Sequence, residues 1–481
     1  MQLFNFWDID WGPDEAKGDK HLKDYFVEIP EYEHIKSGKY RYIIGRKGSG
    51  KTAICERIKI DTDPDPLSFS STLTLRNFPL NYVRELRDKS FRDKAQFVPV
   101  WSFLIIVELC KLILKDNGAQ PSAIIDELNK FLTTNSLINS IGFVDTIQTL
   151  KKNQAKVKVA PGWLSLEGAH EQSKTTTIPI HFHQITSVLL DKLSSANSES
   201  SFYLFMDELD EGYRAGDSGL RLILLALLRA TEDIAIHFQY KQLNVFPIVA
   251  LRSDIFDRLE DNDLNKLDDY TVRIKWRSME IPVYSLRSIP NARIVNSLPK
   301  LGNIDPWSAV VLDDDNKLPN KVKSAWSYIA NSTFERPRDI VKFMKFCKKQ
   351  KNNGRLSFPI IAKAELSYSS WFYNELRDEI HSHLPIWKDS LNCITKIGKG
   401  FFTTPDFIDT LKKDTRVSRW LKDNDKEPEE IAEVLFDFGV IGNHDGKRWL
   451  FKYKDDDLSW NPNMKIIVHF GFRKKLRLLS W

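Results

Sequence analysis

An eight-residue segment rich in glycine has the residue types needed to hold phosphate groups. It consists of Gly45, Arg46, Lys47, Gly48, Ser49, Gly50, Lys51 and Thr52. Glycines let the backbone wrap so that its N–H groups face phosphate oxygens, and the positive end of the following helix dipole adds to the attraction. In this pattern Lys51 reaches the β- and γ-phosphates, and the Thr52 hydroxyl binds Mg²⁺. The segment therefore predicts a binding site for a nucleoside triphosphate.

Two acidic residues directly after an apolar run supply the groups that hydrolysis needs. The run Phe202–Met206 predicts a buried strand, and Asp207 and Glu208 follow it. We expect Asp207 to bind Mg²⁺ and Glu208 to act as the general base that polarises the attacking water. Asp210 and Glu211 come next, and we interpret them as solvated carboxylates of a loop.

Several arginines could reach the phosphates. Arg252 follows a third apolar run, and it is the candidate sensor of the γ-phosphate because ligands gather outside the carboxyl ends of parallel strands. Arg336 and Arg338 flank a proline that opens a helix, and Arg338 is preferred to Arg336 as the residue that contacts nucleotide from a lid. We interpret Arg214 and Arg258 as surface arginines, with a role across a subunit boundary left open.

One tetrapeptide raises GTP as the alternative nucleotide. Asn265–Asp268 matches the guanine-reading pattern, but the residues before it, 260–263, are acidic and do not form an apolar strand. No glycine stands three residues after Asp207 to sense a γ-phosphate. We therefore interpret the tetrapeptide as a chance match and expect ATP.

The elements around these residues predict a parallel α/β sheet. Tyr40–Ile44 is a strand that runs into the glycine segment, and Val245–Leu251 is another, although its Pro247 counts against a strand. Leu220–Ala230 reads as an apolar helix between two of the strands. Strands that alternate with helices are typical of a parallel sheet.

The spacing of these elements predicts four regions. Residues 1–60 and 201–284 form a P-loop NTPase core, and residues 61–200 form a mainly helical insertion, because one crossover helix does not need such a length. Within the insertion we expect buried helices over Trp101–Leu114 and Ile180–Leu193, and an exposed hairpin or mobile loop over Lys151–Thr177. Residues 285–361 form a helical lid.

Residues 362–481 complete the predicted α/β fold with a winged-helix-like domain. Thr404 and Pro405 cap and open one helix, and Pro428 opens another. A hairpin over residues 439–453 follows, which gives the helix, helix, hairpin order of a winged helix.

Composition favours a soluble cytoplasmic protein. The 481 residues carry a formal net charge of only +5, include no apolar run that could span a bilayer, and begin without a signal-peptide pattern. The four cysteines are far apart in sequence, so we expect them to be reduced and buried: Cys55, Cys110, Cys347 and Cys393. The pairs His181 with His183 and His381 with His383 lack further ligands, so we expect no metal besides Mg²⁺.

Nucleic-acid binding is the second class of function that the sequence raises. Basic residues cluster near Lys151, along the lid from Lys342 to Lys351 and at Arg473–Arg477, and we interpret them as solvated faces. The winged-helix segment Glu427–Glu433 is strongly acidic and would be repelled by phosphates. We therefore favour a protein-contact or structural role for that domain.

Four segments together resemble a known group of proteins. They are Gly45–Thr52, Phe205–Asp210, Leu251–Ile255 and Arg336–Asp339. Their combination resembles bacterial stand-alone P-loop ATPases related to the STAND and Cdc6/Orc-like branches of the AAA+ group. The resemblance implies a nucleotide-binding core, a helical lid, a winged helix and, in some relatives, oligomerisation. Such proteins are frequent in bacterial antiviral and conflict systems.

From these patterns we expect an ATP-hydrolysing regulatory switch with ATP and Mg²⁺ as ligands. It would couple nucleotide state to a protein partner or to self-association, in the antiviral or conflict setting that the resemblance implies. The alternatives are an ATP-dependent nucleic-acid-binding protein with slow hydrolysis and a nucleotide-stabilised scaffold. The former would bind through the basic patches, and a membrane partner is not expected.

Overall fold

The chain divides into two compact units. In this computed structural model the described residues are 4–74, 80–87, 91–154, 156–160, 163, 176–179, 181–209, 217–259, 261, 264–277, 285–314, 317–319 and 322–479. The core unit contains Pro30–Arg46 and Lys51–Ile274, and the C-terminal unit contains Met1–Ile29, Lys47–Gly50 and Lys275–Trp481. Residues 1–29 thus group with the C-terminal residues, whereas the sequence analysis assigned them to the core.

The core unit is built on a parallel sheet. Its strands in chain order are β1 (Tyr42–Gly45), β2 (Ser68–Thr74), β3 (Lys156–Val159), β4 (Thr176–Pro179), β5 (Ser201–Asp207), β6 (Asn244–Arg252) and β7 (Thr271–Arg273). Five of them pair in parallel in the order β2-β5-β6-β1-β7. Strands β3 and β4 form a separate antiparallel pair; β3 lies within Lys151–Thr177, where a hairpin was one of the two expectations, and β4 begins in that segment and ends two residues after it. The predicted parallel α/β core is confirmed.

Burial on both faces explains why the central strands read as continuous apolar runs. Residues 42–45 and 202–207 are buried throughout, as a sheet covered by helices on both sides requires. The helices described in this unit are Tyr32–Lys36, Lys51–Thr62, Leu80–Glu85, Val98–Ile113, Ser122–Thr134, Gly142–Lys152, Phe182–Ser194, Ser218–Phe238 and Ser253–Phe256. Two 3₁₀ helices, Asp93–Gln96 and Leu264–Tyr270, complete the elements described in it.

Pro247 lies inside the central strand β6, where proline is rare. The N–H of Val249 donates at 2.8 Å to the carbonyl of Arg41, the residue directly before the neighbouring strand β1. In a parallel ladder, residues two apart face the same neighbour, so Pro247 faces the same side as Val249. The β1 pairing begins only at Tyr42 opposite Val249, so the N–H that Pro247 lacks would have lain ahead of the paired region.

The region assigned to the insertion contributes one strand to the core sheet. Strand β2 lies within residues 61–200 and pairs along its whole length with β5, from Ser68 opposite Ser201 to Thr74 opposite Asp207. The helix Val98–Ile113 packs into the same hydrophobic core as the sheet, with Trp101 and Leu104 fully buried. The helical part of the insertion therefore begins after residue 74.

The C-terminal unit contains the predicted lid and the winged-helix-like domain. Its described helices are Leu22–Tyr25, Ser288–Ser297, Pro306–Val310, Ala325–Asn331, Pro337–Lys348, Phe358–Ile380, Trp387–Ile397, Thr404–Lys413, Thr415–Asp423, Pro428–Asp437 and Phe470–Arg473, with a 3₁₀ turn at Phe6–Asp8. Strands β8 (Phe401–Phe402), β9 (Ile441–His444), β10 (Trp449–Leu450) and β11 (Lys465–Val468) form an antiparallel sheet in the order β10-β9-β11-β8.

The winged-helix-like order of helices and hairpin is present. The first of its predicted helix starts is shifted by one residue, because Thr403 rather than Thr404 is the N-cap and forms a capping box with Asp406. Pro428 opens the other predicted helix as expected, and the helix Thr415–Asp423 lies between the two in sequence. Strands β9 and β10 form the predicted hairpin. No helix among the described residues is long and apolar enough to cross a membrane.

Candidate functional site

The glycine segment connects the end of β1 to the start of a helix. Strand β1 ends at Gly45, and the helix begins at Lys51. Gly48 has a backbone φ of +78°, a conformation that residues with a side chain rarely adopt. A Cβ added there would also lie 3.0 Å from the Cβ of Arg338. Glycine at this position is required both by the turn and by the close approach of a second segment.

Lys51 is directed back onto its own loop. Its Nζ donates to the carbonyl oxygens of Gly45 at 2.8 Å and Arg46 at 3.1 Å, and the residue is 9% exposed. The ammonium is therefore held inside the concave side of the loop by neutral acceptors. Phosphate oxygens are stronger partners for an ammonium than carbonyls, because both groups are then charged.

Thr52 and Asp207 meet within the core unit although 155 residues separate them. The Thr52 hydroxyl donates to Asp207 Oδ2 at 2.7 Å, and Asp207 is 6% exposed. Thr52 is the second residue of its helix, and Asp207 is the last residue of β5. A hydroxyl and a carboxylate are hard oxygen donors of the kind that Mg²⁺ prefers, so these two residues fit that ion.

Glu208 adopts a strained backbone next to this pair. Its φ is +54°, a left-handed conformation that costs a non-glycine residue roughly 1–3 kcal/mol. Its N–H donates to Asp207 Oδ1 at 2.8 Å. Its Oε2 is buried and has no hydrogen-bond partner among the described residues. A buried carboxylate oxygen without a donor is costly, which is consistent with a ligand or water as its partner.

Arg252 ends β6, the strand between β1 and β5. It pairs in register with Gly45, the first residue of the glycine segment. Its guanidinium forms a two-point ion pair with Asp254, with Nε–Oδ1 at 2.9 Å and Nη2–Oδ2 at 2.6 Å. Arg252 thus lies at the carboxyl end of a central strand, as expected, and it has a carboxylate partner there.

The two arginines at the start of the helix Pro337–Lys348, here called the lid helix because it lies in the predicted lid, have different surroundings. Arg336 is 3% exposed and forms ion pairs with Asp339 and Glu379, with Nη1–Oε1 of Glu379 at 2.6 Å. Arg338 contacts the glycine segment instead, because its N–H donates to the Gly48 carbonyl at 3.4 Å. Of the two, Arg338 is the one in contact with the glycine segment.

Three residues that sequence reasoning missed also contact the glycine segment within the C-terminal unit. The indole N–H of Trp276 donates to the Ser49 carbonyl at 2.8 Å. The ammonium of Lys47 lies 3.6 Å from Glu375 Oε2 and 3.3 Å from Asp378 Oδ2. No local pattern marks these residues, since each contact joins positions more than 200 residues apart.

Ser49, in the glycine segment, has a buried hydroxyl whose situation resembles that of the Glu208 carboxylate. Ser49 is 3% exposed, and its Oγ has no hydrogen-bond partner within the part of the chain that the structure describes. Buried hydroxyls normally have a partner. This observation, like that on Glu208, points to a polar ligand.

Other candidates from the sequence are placed less informatively. Arg258 is half-buried after the short helix Ser253–Phe256, and Asp210, Glu211 and Arg214 lie outside the described residues. The guanine-like tetrapeptide lies in the 3₁₀ helix Leu264–Tyr270, directly before β7, and its Leu267 is buried.

Neither histidine pair lies on one strand face. His183 is part of the helix Phe182–Ser194, and His381 and His383 follow the helix Phe358–Ile380. Among the described residues, no group of three His, Cys, Asp or Glu side chains could hold a metal ion. All four cysteines are free and buried.

Part of the lid's basic row is engaged within the C-terminal unit. Lys342 and Lys345 both pair with Asp14, and the Lys348 Nζ donates to the Ile9 carbonyl at 2.6 Å. Burial alone would raise the pKa of the Asp14 carboxyl. Lys342 and Lys345 outweigh that effect and lower the pKa below its ordinary value. These lysines are therefore not an open phosphate-binding row.

Comparison with known proteins assigns one region. Residues 284–377 match the family model described as the FunZ-associated C-terminal helical domain. This region contains most of the lid and the first part of the helix Phe358–Ile380, and it is less than half of the chain. Among curated proteins, no match to the sequence was found.

Two solved structures are similar over nearly the whole chain. One is the ORC2 protein of Aeropyrum pernix in ADPNP–ADP complexes, with 11% identity, a TM-score of 0.39, and coverage of 96% of each chain. The other is Cdc6p of Pyrobaculum aerophilum, with 10% identity, a TM-score of 0.31, and coverage of 98% of this chain and 95% of that one. Because these scores are low, neither fold nor function rests on them. The fold class follows from the chain's own elements: a parallel five-stranded sheet with a glycine loop after β1, and then helices with a small antiparallel sheet.

Proposed function

We propose that the chain binds ATP together with Mg²⁺, hydrolyses it, and acts as a switch that couples nucleotide state to a protein partner or to self-association. The observation that supports this most is the 2.7 Å contact between the Thr52 hydroxyl and Asp207. It joins the helix after the glycine loop to the end of a parallel strand, where ligands of open α/β sheets gather.

Binding is assigned to the loop and its helix. Backbone N–H groups of residues 45–52 surround the phosphates, and the Lys51 ammonium exchanges its two carbonyl partners for phosphate oxygens. Thr52 and Asp207 would hold Mg²⁺, and the ion would supply positive charge to neutralise the phosphates. Arg338 approaches from the lid helix, next to Gly48.

Hydrolysis is assigned to Glu208. Its carboxylate accepts a proton from a water that attacks the γ-phosphorus, while the bond from that phosphorus to the β–γ bridging oxygen breaks. The buried Oε2, which has no hydrogen-bond partner in the described part of the chain, is available to bind this water. Arg252, at the end of β6, stabilises the charge on the departing phosphoryl group.

A switch rather than a free-standing hydrolase is proposed because of what surrounds the loop. The start of the lid helix donates a hydrogen bond to the loop at Gly48, and Trp276 donates another at Ser49. A change in loop conformation on binding would therefore alter contacts of the C-terminal unit. The bacterial antiviral or conflict setting is part of the proposal and is supported by the motif resemblance alone.

Nucleic-acid binding is a weaker candidate. Three lid lysines are engaged by Asp14 and Ile9, and the helix Pro428–Asp437 exposes Glu429 and Glu433. Arg473, at the chain end, donates to the Val468 carbonyl and lies 4.1 Å from the ring centre of Phe470. Flat, weak binding to duplex and single strands as salt rises is the expected result.

The test of catalysis compares Glu208→Gln with the wild type. Glutamine keeps the size of the side chain but removes its basicity, so we expect phosphate release to fall about 10²–10⁴-fold while ATP affinity stays within about threefold. Glu433→Gln makes the same chemical change at an exposed position and should leave turnover unchanged. Phosphate release is measured with Mg²⁺, with and without candidate partners.

Equal turnover in the Glu208→Gln and wild-type proteins would remove Glu208 from the mechanism. Loss of both binding and turnover in that variant would instead show that Glu208 is needed to form the site, not to activate water.

A further inference from the structure

The helix Phe358–Ile380 places two carboxylates against the two cations that flank Gly48. Glu375 Oε2 lies 3.6 Å from Lys47 Nζ and 3.4 Å from Arg338 Nη1. Asp378 Oδ2 lies 3.3 Å from Lys47 Nζ. All four residues and Gly48 belong to the C-terminal unit. Glu375 is thus shared between a residue of the glycine loop and a residue of the lid.

Burial makes this cluster more than a solvated surface pair. The side chains of Glu375, Lys47 and Arg338 are 19%, 25% and 25% exposed, and only Asp378 is more open at 44%. Burial alone would raise the pKa of the Asp378 carboxyl, but Lys47 and Arg377 lower it below its ordinary value. The Asp378 carboxyl is therefore ionised at neutral pH.

Both cations in this cluster belong to candidate nucleotide-binding positions. Lys47 is inside the phosphate-binding segment, and Arg338 is the lid arginine placed beside Gly48. A carboxylate and a phosphate oxygen compete for the same guanidinium or ammonium, since each offers a charged acceptor. The pairs seen here therefore occupy groups that would otherwise attract phosphate.

We propose that Glu375, assisted by Asp378, is an intramolecular competitor of the nucleotide: it holds Lys47 and Arg338 until a triphosphate displaces it. The proposal rests on the assignment of the glycine segment as the nucleotide site. Displacement also releases the helix Phe358–Ile380 from the loop. Most of this helix lies within residues 362–481, the predicted winged-helix-like domain, so the exchange of partners gives a physical route from phosphate binding to that domain.

The test is the affinity for ATP of Glu375→Gln, measured by calorimetry in Mg²⁺. Removing the competing charge should tighten binding about two- to fivefold, the range expected for a partly exposed ion pair. The gain should shrink as salt is raised, because screening already weakens the pair in the wild type. Asp378→Asn should change affinity in the same direction but less, and Glu429→Gln, an exposed glutamate on another helix, should not change it.

A double variant identifies the route of the effect. In an Arg338→Ala background, Glu375→Gln should give a smaller gain than in the wild type, because one of the two competed cations is gone. Unchanged or weaker ATP binding in Glu375→Gln, with wild-type melting, would overturn the competition. If Glu375→Gln does not fold, the sign of the Asp378→Asn effect decides in the same way.

Failure of this inference and failure of the proposed function can be told apart. If wild type binds ATP and Glu375→Gln binds it no better, only the competition is wrong. If neither protein binds ATP, both are wrong. ATP binding by Glu375→Gln but not by wild type would support the competition in its strongest form.

Discussion

At the scale of single residues, the two arginines on either side of Pro337 have different environments. Arg336 is enclosed with Asp339 and Glu379, and all three are at most 3% exposed. Arg338 is half-buried, contacts the glycine loop at Gly48, and pairs with Glu375 at 3.4 Å. The sequence offered both as nucleotide contacts, and their burial separates a structural arginine from a candidate binding one.

This separation predicts opposite phenotypes. Arg336→Ala leaves two buried carboxylates without their cation, so we expect it to lower the free energy of unfolding by about 3–5 kcal/mol. Arg338→Ala removes partly exposed contacts and should lower it by less than about 1 kcal/mol. Urea unfolding followed by tryptophan fluorescence measures both. Equal losses in the two variants would show that the burial of Arg336 does not reflect a structural role.

The residues of the glycine segment and the acidic pair after β5 could be predicted because they follow a local pattern. Gly45–Thr52 and Asp207–Glu208 are continuous in sequence and adjoin apolar strands. Trp276 and Glu375 could not be predicted, because their importance comes only from contacts with distant positions. Their roles in a nucleotide site, like those of Lys51 and Arg252, remain predictions.

At the scale of elements, the helix Ser218–Phe238 shows how the start of a core helix is fixed. Asp217 is its N-cap and accepts from the Leu220 N–H at 3.1 Å, and it also pairs with Arg84 at 2.6 Å. Burial alone would raise the pKa of the Asp217 carboxyl, but Arg84 and the capped N–H groups lower it below its ordinary value. The cap and the ion pair therefore both favour the charged form.

Asp217→Ala should lower the free energy of unfolding by about 1–2 kcal/mol at neutral pH, because a cap and a partly exposed pair are lost. Since the folded pKa is below 3.8, the stabilisation is present above that pH and is lost as pH falls through the folded value. Urea unfolding at several pH values measures the difference between variant and wild type. Asp217→Asn, which can still cap, should lose less, and an effect that grows on acidification would contradict this assignment.

Elements that are apolar and buried were predicted within a few residues, whereas polar and short ones were missed. Helix Val98–Ile113 was expected at Trp101–Leu114, and β5 at Phe202–Met206. Strand β2, Ser68–Thr74, is an edge strand in which only Leu73 is buried, so it has no apolar run to mark it. Strand β7 has three residues, too few for a periodic pattern.

At the scale of the whole molecule, the sequence predicted the fold class but drew the boundaries differently from the compact units. Residues 47–50 are counted with the C-terminal unit, although both flanking parts of the loop belong to the core unit. The reason is physical: Arg338, Trp276 and Glu375 contact this tip, and a sequence pattern does not show such long-range contacts. These contacts with the loop tip all lie within the C-terminal unit.

The most direct measurement of the central claim is calorimetric titration of ATP in Mg²⁺ into the wild type and into Lys51→Ala. The claim is that the Lys51 ammonium and the Thr52–Asp207 pair hold the phosphates and the metal. We expect saturable binding to the wild type and a loss of about tenfold or more in Lys51→Ala, since a charge-assisted contact is removed. Equal affinity in the two proteins, or no heat with the wild type, would contradict it.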